Sequence, residues 1–404
     1  MRTTIVIGAG ASGMAAAIGA AEVGDCVTVL ERNRKPLKKL AVSGNGRGNL
    51  LNMDTLRYYG DTEFAHEVLT HMPPSQVWDF LTSLGLMLTH EAQGRIYPTS
   101  YMASVAVEAF LQRAKQLNIT VQMDTKVTAL QTTAQGVVLQ AEQTLYPPPR
   151  QKGKNKRDLP CGVQAKQYQA DRVIVAVGGA AAPAHGTDGS SYGLLAEHAC
   201  VTPKPALAAL CCPVAEVGML AGLRLRATLT LLDKDQQPLH QSKGEILFTE
   251  DGISGIAAMQ MARFYQTGAT LCIDMREGLL GEEKAEVGAW LAQRPHGAKL
   301  VGACAPALAK VLYQAGSDQA IAERIQGWCL PIHGVRGFAQ AQVTTGGIST
   351  SEFSSSTLQS KHNARVHAVG EVLNVDGDCG GYNLMFAFAS GYLAGRSEAP
   401  KGAQ

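Results

Sequence analysis

Three glycine-rich clusters predict an α/β fold whose parallel nucleotide-binding sheet is assembled from both ends of the chain. They are Gly8 to Gly13 behind an apolar strand, Gly44 to Gly48 shortly downstream, and Gly370 to Gly381 towards the far end. The first is the most specific. The run Ile5-Val6-Ile7 enters Gly8-Ala9-Gly10-Ala11-Ser12-Gly13, an Ala-rich helix follows, and Val27-Thr28-Val29-Leu30 then delivers Glu31. Each position has a physical task in a βαβ unit. Gly8 permits the tight turn, Gly10 leaves room for a pyrophosphate to approach the backbone, and Gly13 lets the helix lie close to the sheet, while the free N–H groups and dipole of the helix N-terminus attract phosphate. Glu31, at the tip of the second strand, is placed to accept hydrogen bonds from a ribose diol. A glycine fingerprint alone is weak evidence. Strand before, helix after, Ala17 on the packing face and an acid at the right distance together specify a dinucleotide site.

Length and charge bound the remainder. The 404 residues suffice for two or three structural units, and 46% hydrophobic with 17% charged residues is the balance of an ordinary globular enzyme. A net charge of +2 gives no electrostatic reason to expect nucleic acid or an anionic membrane as the main partner. No basic and apolar leader precedes the first strand, and no run approaches the roughly 18 to 20 apolar residues of a spanning helix. The expectation is a cytoplasmic protein acting on a small molecule. Nine cysteines, scattered singly apart from Cys211-Cys212, have neither CxxC spacing nor a paired framework, so they read as reduced, mostly buried thiols with no metal site and no redox disulfide.

After Glu31 the stretch from Lys38 to Asn49 is too rich in glycine and small polar groups to be regular, and Lys38, Lys39 and Arg47 place positive charge beside it. Standing alone it would read as a surface loop; directly behind the ribose-binding acid, it reads as a wrap for an anion or a polar ring. Helices are predicted around Glu63 to Leu84 and Ser100 to Leu117. A strand-rich segment follows, in which Val137 to Ala141 pairs with Gln164 to Ala170 across a long connection. That connection carries Arg150, Lys152, Lys154, Lys156 and Arg157 among prolines without interleaved aromatics, the pattern of a solvated loop rather than an RNA-binding patch. The apolar strand Arg172 to Val177 ends in Gly178-Gly179, which suits close passage of backbone past a cofactor.

From 191 to 331 the character changes to an inserted unit, β-rich over 191–250 and helical over 251–331. It separates two parts of one nucleotide-binding domain, 1–190 and 332–404. Strands are predicted at Leu225 to Leu232 and Glu245 to Thr249, and helices at Ile256 to Tyr265, Gly281 to Gln293 and Pro306 to Tyr313, with Trp290 and Trp328 as core residues. Finally, Arg365 to Glu371 reads as a strand ending in Gly370-Glu371, and Gly380-Gly381-Tyr382-Asn383 opens an apolar helix from Leu384 to Gly395. A second helix N-terminus thus faces the site, suited to negative charge on a reduced flavin, and the Glu371 carboxylate suits a ribitol or ribose hydroxyl.

The sequence resembles the bacterial HI0933-like, or BaiN-like, family of FAD-dependent oxidoreductases, within the glutathione-reductase-type Rossmann superfamily. The resemblance runs nearly end to end. It rests on Gly8 to Gly13, Val42-Ser43-Gly44-Asn45-Gly46-Arg47-Gly48-Asn49, Gly94-Arg95-Ile96-Tyr97-Pro98, Gly178-Gly179, Gly244 to Thr249, Gly252-Ile253-Ser254-Gly255, Gln342 to Gly347, and Gly370-Glu371 through Gly380-Gly381-Tyr382-Asn383. It implies noncovalent FAD held by a discontinuous domain with a β-barrel-like and helical insertion. By that resemblance Gly8, Gly10, Ser12 and Gly13 hold the pyrophosphate, Glu31 the adenosine ribose and Val127 the adenine through its backbone. Ser43, Gly44, Gly46, Arg47 and Asn49 lie near the flavin, with Gly370 and Glu371 on the ribitol side and Gly381, Tyr382, Asn383 and Leu384 at the pyrimidine end. Arg32, Lys39, Gly178 and Gly179 complete the cofactor set. Gly48 stands where the family usually has a cysteine, Asn374 where it has aspartate, and Cys379 where it has threonine. Any mechanism needing a thiol at position 48 is therefore in doubt.

The leading expectation is an NAD(P)H-dependent reductase that passes hydride from flavin N5 to an activated C=C or C=N bond. Arg47, Tyr382 and Asn383 would orient a carbonyl, and Tyr382 or His333 would deliver the proton. No second GxGxxG and no CxxC is present, so the nicotinamide would visit the substrate cleft transiently in a ping-pong cycle. Two alternatives stay open: an amine oxidase producing peroxide, and a noncatalytic FAD-binding redox sensor or interaction protein.

Overall fold

The computed structural model describes residues 1–147, 159–281, 286–295 and 298–398. The basic stretch from Arg150 to Arg157 lies outside the described residues. The chain divides into two compact units, Met1–Pro203 with Thr344–Gln404, and Lys204–Val343. The division falls some dozen residues beyond each boundary read from the sequence, 190/191 and 331/332.

Unit one is built on a five-stranded parallel sheet of β1 (Thr3–Ile7), β2 (Cys26–Leu30), β3 (Thr120–Gln122), β4 (Arg172–Val175) and β5 (Val366–Ala368), in the order β5-β4-β1-β2-β3. Ile5 lies between Val173 and Thr28, and the strand Val366–Ala368 adds to the edge of the same sheet beside β4, so segments far apart in the chain share one sheet. Both faces of the central strands are covered, which is why β1 and β4 are continuous apolar runs rather than alternating ones. Helix α1 (Ala11–Glu22) and helix α2 (Tyr382–Arg396) run side by side. They approach through glycine: a Cβ on Gly391 would stand 2.2 Å from the Ser12 carbonyl oxygen, and one on Gly395 2.2 Å from that of Ala16. The far end of α2 is tied by the buried Arg172, which donates to the carbonyls of Ala394 and Gly395, to Thr4 Oγ1 and to Asp25 Oδ2 at 2.6 to 2.9 Å. Burial, with Arg2 nearby, lowers that guanidinium to about 10, still charged at neutral pH.

The three-stranded antiparallel excursion pairs the two predicted segments, Val137 with Ala170 and Ala141 with Lys166. Between 63 and 84 the expected single helix is two, Thr62–His71 and Pro74–Ser83, because Pro73-Pro74 cannot continue the first and suits the start of the second. The stretch from Lys38 is regular at its start: Lys38–Val42 is a short helix, and the irregular backbone begins at Ser43.

Unit two is a seven-stranded antiparallel sheet, strands Trp328–Pro331, Thr270–Asp274, Arg224–Leu232, Pro238–Thr249, Gly252–Ser254, Leu210–Cys211 and Gly334–Val335 in spatial order. Leu229, Leu231, Ile246, Phe248, Leu271 and Ile273 form its core with Trp328, and Trp290 packs against them. The stretch read as helical also supplies three of these strands. Helix Pro306–Tyr313 is as predicted, Ile256–Met261 and Val287–Ala292 are shorter, and Asp318–Gly327, capped by the Ser317 hydroxyl, is additional. Residues 282–285, the first turn of the helix expected from Gly281, lie outside the described residues. The cysteine expectation is corrected here. Cys272 and Cys329 face each other on neighbouring strands, Cα atoms 3.9 Å apart, and form a disulfide. Of the other seven, Cys26, Cys161 and Cys200 are exposed and only Cys212 is buried.

Candidate functional site

The N-terminal turn has the asymmetry a phosphate cradle requires. A Cβ on Gly8 would meet the Ala176 carbonyl oxygen at 2.4 Å, and one on Gly13 would meet that of Gly8 at 1.9 Å, whereas one on Gly10 would meet nothing within 4 Å. Gly8 has φ +104°, a region costly for a side chain. The turn is therefore closed against the sheet and open at Gly10. Gly10 also caps α1 without any side-chain bond, leaving the helix N-terminus to an incoming anion. Glu31 is buried at the end of β2: Oε2 accepts from Ala9 N at 2.7 Å and Oε1 from Asn33 N at 2.8 Å. The carboxylate thus braces the glycine turn and retains a lone pair on Oε2 for a ribose hydroxyl. Val127 sits where the register of its strand shifts against Gly136–Leu145, a bulge that takes local backbone out of the regular ladder. Arg32 is engaged by Asp188 through two 2.7 Å bonds.

The second cluster continues this cradle. Gly44 and Asn45 have φ +56°, Gly46 φ +84° and Gly48 φ +78°, a left-handed succession that turns the chain sharply after Ser43, whose hydroxyl bonds the Leu40 carbonyl. A Cβ on Gly46 would meet open space. Arg47 is held outside this turn, Nη2 to Glu91 Oε1 at 2.6 Å, with its guanidinium carbon 4.7 and 4.5 Å from the ring centres of Tyr97 and Tyr101. Lys39 Nζ meets Glu371 Oε2 at 2.6 Å, and Glu371 Oε1 accepts from Thr344 N at 2.9 Å. Thr344 Oγ1 in turn accepts from Ala180 N and Ala181 N, and a Cβ on Gly179 would collide with that hydroxyl at 2.4 Å. The glycine pair 178–179, Lys39 and Glu371 therefore converge, as does Gly370, whose Cβ position lies 2.5 Å from Ser12 Oγ.

The N-terminus of α2 is packed more closely. Gly381 has φ +101°, and its Cβ position is 2.4 Å from the Leu51 carbonyl oxygen and 2.9 Å from Asn49 Oδ1. Tyr382 is buried, its hydroxyl donating to Thr55 O at 3.2 Å and its own carbonyl accepting from Tyr58. The Asn383 amide closes on the preceding loop, Oδ1 accepting from Gly377 N at 2.8 Å and Nδ2 donating to Gly377 O at 2.9 Å. Both side chains shape the turn in front of α2, and Leu384 packs against the core. His333 lies in unit two, its N–H donating to the Cys211 carbonyl.

Among the buried atoms of this unit that have no hydrogen-bond partner among the described residues are Asn49 Oδ1, Thr187 Oγ1 and Tyr192 Oη. Thr187 lies against Gly178, and Tyr192 is near Glu371, burial being the main cause that raises its phenol above the ordinary range. Orphaned polar atoms in the unit that carries the open glycine turn fit a polar dinucleotide such as FAD. Sequence reading missed Tyr192, Thr187, Glu91 and Asp188, because their relevance appears only when distant segments meet.

A closed-then-open glycine turn at the head of a parallel sheet, braced by a buried acid, defines a Rossmann-type dinucleotide-binding protein. The chain belongs to the HI0933-like family, whose Rossmann-domain model matches residues 2–397. A similar protein from Clostridium scindens, a 3-dehydro-bile acid Δ(4,6)-reductase, is 33% identical over 98% of each chain. A ribosomal RNA dihydrouridine synthase from Haemophilus influenzae is 25% identical over 97% of each chain. Among solved structures, 3-ketosteroid-Δ4-(5α)-dehydrogenase from Rhodococcus jostii RHA1 in complex with 4-androstene-3,17-dione shares the fold, with a TM-score of 0.51 and 16% identity over 100% of this chain and 97% of that one. The protein is an FAD-dependent oxidoreductase. Among the described residues no helix is long and apolar enough to cross a membrane.

Proposed function

We propose that this oxidoreductase is an NAD(P)H-dependent reductase that saturates an activated C=C bond, conjugated to a carbonyl, in a small organic substrate. The observation that carries this reading is the near full-length likeness to the Clostridium scindens protein named as a Δ(4,6)-reductase. Bound FAD supplies hydride transfer between a nicotinamide donor and an acceptor. The chain's own residues bind and orient. The α1 N-terminus and the open positions Gly10 and Gly46 receive phosphate, Glu31 takes a ribose hydroxyl, and the Lys39–Glu371 pair takes the polar chain between phosphate and ring. Arg47, fixed by Glu91 and two tyrosine rings, is the cation for a substrate carbonyl. Tyr382 and Asn383, engaged by backbone, act as positioning residues.

The test mixes the yellow protein anaerobically with NADH or NADPH and then with a steroid 4-en-3-one or O₂. Bleaching by a nicotinamide, fast reoxidation by the enone and slow reoxidation by air are expected. No bleaching by either nucleotide, or rapid peroxide-forming reoxidation, overturns the reading and brings forward an amine oxidase. A second reading has its own support: two relatives, at 25% and 24% identity, are named ribosomal RNA dihydrouridine synthases, and dihydrouridine is uridine with its C5=C6 bond saturated. Reoxidation by ribosomal RNA but not by enones would select it, and deletion of residues 150–157 should then weaken RNA binding.

A further inference from the structure

We propose that His198, Glu352 and His362 form a binding site for one divalent transition-metal ion of the zinc class. One ligand atom from each of the three lies within 4.8 Å of the others. The spacing of the outer pair is what such an ion requires: His362 Nε2 and Glu352 Oε2 are 3.4 Å apart, and two ligands each about 2.1 Å from a tetrahedral Zn²⁺ stand about 3.4 Å from each other.

The third ligand is prepared by its surroundings. The His198 ring is buried and stacked on Phe353, centroids 4.7 Å apart and 21° between planes, with the His362 ring edge-on at 5.2 Å. Its Nε2 is 2.8 Å from Ser360 Oγ, while its Nδ1 is buried without a hydrogen-bond partner. The imidazole therefore has one nitrogen held by the Ser360 hydroxyl and another buried without a partner, an atom that a bound ion would satisfy. The same Ser360 hydroxyl accepts from the His362 and Asn363 N–H groups, so one atom orients the turn of the second histidine as well as the ring of the first. Ala199 N donates to Glu352 Oε2 at 3.1 Å and fixes the carboxylate. An exposed His–Glu pair alone would be worth little, and it gives no reason for a second, buried imidazole beside it.

The donor set selects the ion. Two imidazoles and one carboxylate suit zinc, cobalt, nickel or copper, whereas calcium and magnesium ask for oxygen alone. With His362 exposed, a fourth position stays open to water. His198 precedes the strand Cys200–Ala206, on which the chain leaves unit one, and Glu352 follows the strand Val343–Ile348, on which it returns. An ion here would staple the two crossings within unit one, independently of the reaction proposed above.

The full-length holoprotein, freed of metal with EDTA, would be titrated with Zn²⁺ against a chromophoric chelator and separately with Co²⁺ in the visible range. One equivalent of Zn²⁺ per chain is expected, with a Co²⁺ spectrum free of thiolate charge transfer and a Tm raised by Zn²⁺. His362→Gln and Glu352→Gln alter exposed or half-exposed side chains; each should weaken Zn²⁺ at least about tenfold and abolish the Zn²⁺-dependent Tm rise, with the metal-free Tm unchanged. Absence of stoichiometric binding, an affinity in both variants equal to the parent's, or a thiolate band assigning the ion to Cys200 or another cysteine would each overturn the proposal.

Discussion

The N-termini of α1 and α2 look alike in sequence, each a small-residue turn opening an apolar helix, yet their surroundings are opposite. At α1 the glycine nearest the helix faces open space and the cap is unfilled; at α2 Gly381 is hemmed in by Leu51 and Asn49, and Tyr382 and Asn383 are tied to backbone. The difference lies at the residue that caps each helix: Gly10 has open space on the side a Cβ would take, whereas Gly381 is packed there against backbone. On the function proposed above, the open α1 turn is the receptor, and the closely packed Gly381 gives the α2 turn the character of a frame.

The largest effect that tests this contrast is at Gly13. Its Cβ position is 1.9 Å from a backbone oxygen that cannot move without opening the turn, so Gly13→Ala should cost about 3 kcal/mol in denaturant unfolding, the upper end of the overpacking range. A variant as stable as the parent would refute close packing as the reason for the motif. The frame is also sensitive to acid at its far end. His367, below α2 against Ser397, is held down to about 3 first by burial and then by Arg172 and Arg2. The unfolded histidine takes its proton near 6.5 and the folded one only near 3. This contribution is fully present above about pH 6.5 and is lost as pH falls towards 3, by up to about 1.4 kcal/mol per pH unit. His367→Gln should flatten that part of the stability–pH curve, and an unchanged slope would count against it.

Asn383→Ala sharpens the comparison at the middle of the scale. It should lower stability by about 1 to 3 kcal/mol by freeing Gly377 backbone groups. A loss of turnover with an unchanged Tm would instead give Asn383 a direct part in chemistry. Gly10→Ala is the converse. With φ −80° and open space around it, the substitution should move stability by less than about 0.5 kcal/mol, while raising the Kd for FAD at least about tenfold, roughly 1.4 kcal/mol. Equal FAD affinity would break the distinction between receptor and frame.

What was legible in the sequence follows from distance along the chain. The β1–α1–β2 unit lies within some thirty residues, and its glycine spacing, helix and terminal acid are local constraints that no distant segment overrides. The excursion at 137–170 was legible for the same reason, since its alternation fixes a register. The Cys272–Cys329 bridge was not, because two strands 57 residues apart must pair before the thiols become neighbours. The two-helix break at Pro73-Pro74 and the Ser317 cap had readable signals that the broader apolar period obscured. Tyr382 and Asn383 were placed correctly at the start of α2, but only folding brings the carbonyls of Thr55 and Gly377 to their side chains.

The chain leaves unit one and re-enters it through adjoining strands: Ser349 N donates to the Ala199 carbonyl, and Gly346 lies against Thr202. Exit and entrance are thus about one strand spacing apart, roughly 5 Å. Topologically, residues 204–343 are the loop of a hairpin, however large. Such a loop can be lengthened, shortened or exchanged without disturbing the register of the strands that carry it, so this junction is where a lineage, or an engineer, can graft a different insertion onto an unaltered cofactor domain.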